Sequence, residues 1–278
     1  MDWNKTKTIF IIVFSILNVF LYSMYVNSYN EGKKVEVLGQ TNIEDELKAS
    51  HIKVDPLPTD VKEIAYISGK TKTFDETDTV GLTDTQTFNY TMNGGLTLQS
   101  TLKTPYPLQK VTNTTLSTFV ETYAPNGAVY KLFSIDKEKR IAIFFQTIQK
   151  HTIFYNESAY IKVMWNEENE VTGYVQTAFK NLTTFGEENT LISANQAVKT
   201  LFEKGYLPEY AHVKSAELGY STLVPLTETR VLSPTWRIHV EVQVEDGKMK
   251  EVDLFVNANA VDGQYIDMQD NKKQIERD

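Results

Sequence analysis

The chain has 278 residues, 41% hydrophobic and 23% charged, which is enough apolar content to bury a core and too much for a disordered tail. Its net charge is −8; Asp2 against Lys5 and Lys7 leaves the first thirty residues at +1, so the remainder carries −9 and is repelled by nucleic acid and by anionic lipid. With no cysteine, disulfides, thiolate nucleophiles and cysteine-ligated metals are excluded, and no two of His51, His151, His212 and His239 are close enough in sequence to make a local metal-ligand pair.

Residues 9–26 (IFIIVFSILNVFLYSMYV) are an uncharged run. At 1.5 Å per residue it reaches about 27 Å, close to the thickness of the hydrocarbon layer. The sequence therefore predicts a transmembrane helix over 9–26, behind a cytoplasmic lead of residues 1–8. Lys5 and Lys7 precede the run, and such an excess favours leaving that end in the cytoplasm, with the body outside. Trp3 on one side and Tyr22, Tyr25 and Tyr29 on the other occupy the positions of interfacial aromatic anchors. A cleaved signal peptide has a shorter apolar core that ends in small residues, whereas this run continues into Tyr22-Ser23-Met24-Tyr25-Val26.

Within the span Thr8, Ile11, Ser15, Asn18, Tyr22 and Tyr25 recur at alternating intervals of three and four, which places them on one stripe of a helix. The stripe holds most of the polar groups of the span. An asparagine at mid-membrane depth gains about 0.6 to 2 kcal/mol by hydrogen bonding across a helix interface. Ile11, Ser15, Asn18, Tyr22 and Tyr25 are thus the candidate partner-binding residues. The alternative is that Ser15 bonds its own backbone and Asn18 is simply tolerated.

Residues 27–60 are polar and weakly patterned, with a short helix predicted at Ile43 to Ala49 and Pro56 and Pro58 at the end; they read as a stalk. From Val61 the residues favour strands: Val61 to Gly69, then Thr85 to Met92 and Leu96 to Leu102 joined through Asn93-Gly94-Gly95, a hairpin signal. Over Thr114 to Tyr123, Leu116, Phe119, Val120 and Tyr123 fall on one helical face, ended by Pro125 and Gly127. Four strands follow at Ala128 to Ile135, Arg140 to Ile148, Ala159 to Asn166 and Glu170 to Phe179, with short polar turns that imply antiparallel neighbours. A second helix begins at Ser193 as N-cap, carries Ala197, Val198, Leu201 and Phe202, and stops at Gly205. Strands at Val213 to Tyr220, Arg230 to Leu232, Trp236 to Val244 and Lys250 to Val256 complete the chain.

A helix followed by antiparallel strands therefore occurs twice. The expected fold is α+β: an N-terminal transmembrane helix followed by two β-rich domains, 61–185 and 186–278, each an antiparallel sheet with a packed helix.

No GxSxG, HExxH, Walker loop or GxGxxG is present, so no catalytic residue and no cofactor is assigned. The carboxylate pairs Asp75/Asp78, Glu167/Glu168, Glu187/Glu188 and Glu245/Asp246 fall in turns or polar loops, where the buried partner that raises a pKa is rarely supplied. His239 alternates with Ile238 and Val240 in a strand and reads as a satisfied or surface histidine. Trp165 and Trp236 read as core residues. Asn257, Asn259 and Asp262 lack the spacing and closing glutamate of a calcium loop.

The opening MDWNKTKTIFIIVFSILNVFLYSMYVNSYN, a short Trp-containing lead into an Ile/Phe/Val-rich span, resembles the start of the YycI (WalI) family. The stalk and the closing segments PTWRIHVEV and LFVNANAVDGQYID are similar to that family as well. The resemblance implies a non-enzymatic accessory protein of the cytoplasmic membrane, single-pass and with an extracellular C-terminal domain. It would act with the related YycH on the sensor histidine kinase YycG (WalK), which controls cell-wall metabolism, largely through transmembrane helices. It implies a two-domain α+β ectodomain and supplies no catalytic motif. A homodimer is a further pairing open to the same span. The competing reading of the body is an extracytoplasmic binding module for a cell-wall fragment or peptide.

Overall fold

The computed structural model describes residues 3–59, 64–189, 191–224, 229–244, 247–259 and 263–277, with the side chains of 4–6, 27–42, 187–189, 223–224 and 277 outside that description. The chain opens with α1 (Trp3–Ala49), followed by β1 (Lys53–Val54), β2 (Ile64–Thr71), β3 (Gln86–Asn89), β4 (Leu98–Pro107) and α2 (Asn113–Tyr123). Next come β5 (Tyr130–Asp136), β6 (Ile141–Ile148), β7 (His151–Thr152), β8 (Tyr160–Trp165), β9 (Glu170–Gln176), β10 (Phe179–Asn189) and α3 (Ala194–Glu203). The chain ends in β11 (His212–Val224), β12 (Thr229–Gln243), β13 (Met249–Asn257), β14 (Gln264–Ile266) and α4 (Gln269–Arg277).

The strands form two sheets. One has the order β3-β4-β9-β8-β6-β5, with β7 on β6; the other has β1-β11-β12-β13-β14, with β2 on β12 and β10 on β2. Among the named strands pairing is antiparallel except between β1 and β11, and an isolated parallel bridge joins Ile153 to Tyr220 of β11. The fold is the α+β architecture expected from the pattern, an apolar N-terminal helix followed by two sheets that each carry a helix.

Each packed helix forms for local reasons. At the start of α2 the Thr112 hydroxyl accepts from Thr115 N while Thr115 reaches back to the Thr112 backbone. Ser193 and Gln196 make the same reciprocal pair at α3. Two of the orphan amides of each helix are satisfied this way. The apolar face of α2 puts Leu116, Phe119 and Val120 against Phe144, Ile161, Val163 and Tyr174 of the first sheet. On the second sheet, Ala194, Ala197, Val198 and Leu201 of α3 meet Trp236, Ile238, Val240 and Val256. Full burial of side chains of this size stabilises by about 1.5–3 kcal/mol each.

The hairpin predicted at Asn93-Gly94-Gly95 does join β3 to β4, but the strands end earlier than expected and residues 90–97 form the link, a 3-10 turn at Met92–Gly95 in which Asn93 (φ 50°) and Gly94 (φ 64°) take the left-handed conformation. Trp165 and Trp236 are core, as expected: Trp165 under α2, and Trp236 under α3 with its Nε1 donating to Ile192 O at 2.8 Å.

Three features differ from the sequence pattern. Residues 27–49, read as a stalk with a short helix at its end, are helical throughout and continuous with the span, so α1 runs for about 70 Å. β2, which precedes the first sheet in the chain, hydrogen-bonds into the second sheet through β10 and β12. The C-terminal residues fold into the short strand β14 and the helix α4. The division of the chain at 185/186 remains our proposal for the two units, with β2 and the part of β10 before residue 186, both in the second sheet, as outliers in sequence. Of the predicted first strand, Val61 to Glu63 lie outside the described residues.

Candidate functional site

The span is the first surface to consider. Lys7–Val26 is the one segment among the described residues long and apolar enough to cross a membrane, and none of it is covered by the rest of the chain. The candidate stripe residues are all exposed: Ile11 and Tyr22 keep 67% and 70% of their surface, and Ser15, Asn18 and Tyr25 are likewise on the outside of the helix. The fold thus brings the stripe together on one helix face and supplies no covering element. Lys7 Nζ lies 5.5 Å from the centre of the Trp3 ring, so the aromatic and the cation singled out in the sequence sit together at the start of the apolar run. The side chain of Lys5 lies outside the described residues.

Where α1 ends, it is built into the body. Ile43 and Leu47 enter the core beneath α3, together with Ile52 beyond the helix end. The helix terminates at His51, whose φ of 56° lets Ile52 N return to Leu47 O at 2.8 Å. The chain then pairs with β11: Lys53 N donates to Ala211 O and Asp55 N to Val213 O. His212 Nε2 sits 2.9 Å from Asp55 Oδ1. The imidazole beside it, with Lys53 nearby, holds the Asp55 carboxyl below its ordinary range. These contacts clamp the body to the end of α1.

The second surface of interest is the joint between the sheets. β12 turns Trp236, Ile238 and Val240 toward α3, so Arg237 and His239 face the other way, toward the first sheet. Arg237 grips Asp253 with two donors, Nε at 2.9 Å and Nη2 at 3.1 Å, and its guanidinium lies 4.4 Å from the centre of the Phe133 ring of β5. Glu217 of β11 binds Lys131 of β5 at 2.6 Å and Arg237 at 3.3 Å. His239 Nδ1 is 2.9 Å from Asp253 Oδ1, the satisfied histidine expected from its alternation.

Apolar packing completes the joint. Phe145, Phe154, Tyr155 and Tyr160 of the first half share a core with Phe255, Met268 and Ile275 of the second. Phe154 N donates to Tyr220 O, and Gly219 gives the room: a Cβ there would meet the Phe154 ring and Thr152 O, each at 2.4 Å. From α4, Asn271 donates to Tyr155 O and Glu276 pairs with Lys139.

Nothing among these groups is arranged for catalysis on the pattern of a known motif. The Asp75 carboxylate caps a turn by accepting from Thr77, which lowers its pKa, and Asp78 pairs with Lys72. Glu167 pairs with Arg140 at the surface. Glu187 and Glu188, by their side chains, and Glu245 and Asp246 lie outside the described residues. Asn257 accepts from Asn259 N and from Ser233, while Asp262 is also outside. Among the described residues no group of three His, Asp or Glu side chains is placed to hold a metal ion.

The joint was not anticipated from sequence. Its signal is the alternation Arg237, His239, Glu241 opposite Glu251 and Asp253, which becomes a charged face only once the β12–β13 register is known.

Comparison with known proteins identifies the family. The family model described as YycI protein matches residues 32–259. The chain belongs to the YycI family. The match covers most of the chain and begins beyond the span, so membership rests on the body, whereas the resemblance noted in the sequence was strongest in the first thirty residues. No curated protein matches the chain. Among solved structures, an uncharacterized protein from Eubacterium rectale is similar at 10% identity and a TM-score of 0.46, covering 79% of this chain and 91% of that one. YycH from Bacillus subtilis aligns at 12% identity and a TM-score of 0.38, over 69% of this chain and 51% of its own length. The YpeB C-terminal domain from Bacillus megaterium aligns at 10% identity and a TM-score of 0.36, over 72% and 90%.

Proposed function

We propose that this YycI-family chain is a single-pass protein of the cytoplasmic membrane that regulates the sensor histidine kinase YycG together with a YycH-like partner. The contact runs through the transmembrane helix, on the face of Ile11, Ser15, Asn18, Tyr22 and Tyr25. Lys5 and Lys7 hold the N-terminus in the cytoplasm and leave the body outside. The role is regulatory and non-enzymatic, and a second copy of the chain is an alternative occupant of the stripe.

The observation that carries this reading is the pairing of family membership with a span left wholly uncovered by its own body. In a bilayer the apolar residues of that span are content with lipid, but Ser15 and Asn18 gain by meeting polar groups of another helix. The test replaces residues 9–26 by an unrelated polyleucine span. Regulation of the kinase should be lost while export and folding of the body persist; retained regulation would reduce the helix to a tether. Crosslinking in membranes from position 18 identifies the helix opposite.

A further inference from the structure

Beneath α4, where the two sheets meet, lies a polar cavity of about 350 Å³. Its wall includes Thr97, Ser158, Thr177, Arg230 and Gln274. One ion pair crosses it: Arg230 Nη2 of β12 donates to Glu157 Oε1 at 2.6 Å, and Glu157 Oε2 accepts from Gln274 Nε2 of α4 at 3.0 Å.

The two charges are unequally housed. The Arg230 side chain keeps 15% of its surface and Glu157 keeps 45%. Arg230 Nε is buried and makes no hydrogen bond. A guanidinium binds carboxylates best through two parallel N–H donors, and Glu157 takes only one. An ion pair that served only to lash α4 to the sheets would have no need of a buried, unsatisfied donor, which is unfavourable in itself. Two hydroxyls on the wall are also set to donate. Ser158 Oγ accepts from Thr71, and Thr177 Oγ1 accepts from Tyr160 N, so each retains its own proton for another acceptor.

We propose that this cavity binds a small zwitterion, either a free amino acid or a dipeptide. The ligand carboxylate takes the Nε–Nη2 edge of Arg230 as the guanidinium turns into the cavity, with Ser158 and Thr177 donating to its oxygens. Its ammonium group takes the Glu157 carboxylate that Arg230 then shares. The volume fits one or two residues, and the position between two packed units is where ligand pockets concentrate. Gln274 lies over the bound molecule, so α4 forms the roof of the site. This inference is independent of the membrane contacts proposed above, because no lining residue belongs to α1.

The test is titration calorimetry on the full chain in detergent micelles, with alanine, glutamate and lysine in both enantiomers and alanyl-alanine as probes. At least one probe should give saturable heat. Arg230→Met and Glu157→Gln should each weaken it by about tenfold or more, while Lys131→Met, in the joint but outside the cavity, should leave it unchanged. Circular dichroism checks each fold; if Arg230→Met does not fold, Ser158→Ala with Glu157→Gln carries the same comparison. The proposal is overturned if no probe binds at up to about 10 mM, or if binding survives the cavity variants unaltered.

Discussion

At the scale of single residues, Glu217 shows how charge is used in the joint. Its carboxylate is partly buried, which alone would raise its pKa, but Lys131 and Arg237 outweigh that burial and bring it below its ordinary value of 4.5. A depressed folded-state pKa means that the group contributes stability above the unfolded pKa and loses it as pH falls through the folded one. The body should therefore lose stability as the pH is lowered below about 4.5, and Glu217→Gln should flatten that part of the profile. Chemical denaturation between pH 3 and 7 measures both; an unchanged profile in the variant would remove Glu217 from the account. The pair itself was not legible in the sequence, because Lys131 and Glu217 are 86 positions apart and only the meeting of the sheets unites them.

Secondary-structure elements were legible where local chemistry decides them. Ser193 announces the start of α3 and Asn93 with Gly94 a chain reversal between β3 and β4; the helix begins where expected, while the reversal takes the wider link of residues 90–97. The strand-turn-strand segments around Trp165 and Trp236 became the hairpins β8–β9 and β12–β13. Less legible was α1 beyond residue 26, since residues 27–42 carry no regular apolar stripe in the sequence, yet the helix continues through them. That continuity carries a prediction. One residue inserted between Val26 and Ile43 turns the span by about 100° against the body, whereas seven residues turn it by only about 20°. If the stripe acts in concert with the body, kinase regulation should be lost with one added residue and kept with seven, measured with a reporter of kinase output. Equal activity in both would mean that the span and body act without a fixed rotational setting.

On the scale of the whole molecule, the two sheets share cores as well as salt bridges, and β2 and β10 tie the early chain to the late sheet. Units joined in this way unfold together. Calorimetry of the full chain should show a single transition for the body, and Ile275→Asp, which places a charge under α4, should lower its midpoint by several degrees. Two separate transitions in the unaltered chain would show the halves to be independent. This joining was hidden from sequence because alternation of apolar and polar residues shows which side of a strand is buried but not against what. The polar cavity was hidden for the same reason: Glu157 and Arg230 lie 73 positions apart and meet only across the joint.

The unbroken course of α1 also fixes a compass bearing. Ile43 and Leu47, which dock into the core, follow Asn18 by 25 and 29 residues; on a straight helix they point within about 20° of it, one to either side. The Asn18 side of α1 therefore points the same way as the two residues that dock into the body. If a partner helix packs on Asn18 as proposed, it approaches α1 from the side on which the body is attached, and a partner with a straight, bulky extension on that side should bind less well than one whose chain ends or turns away.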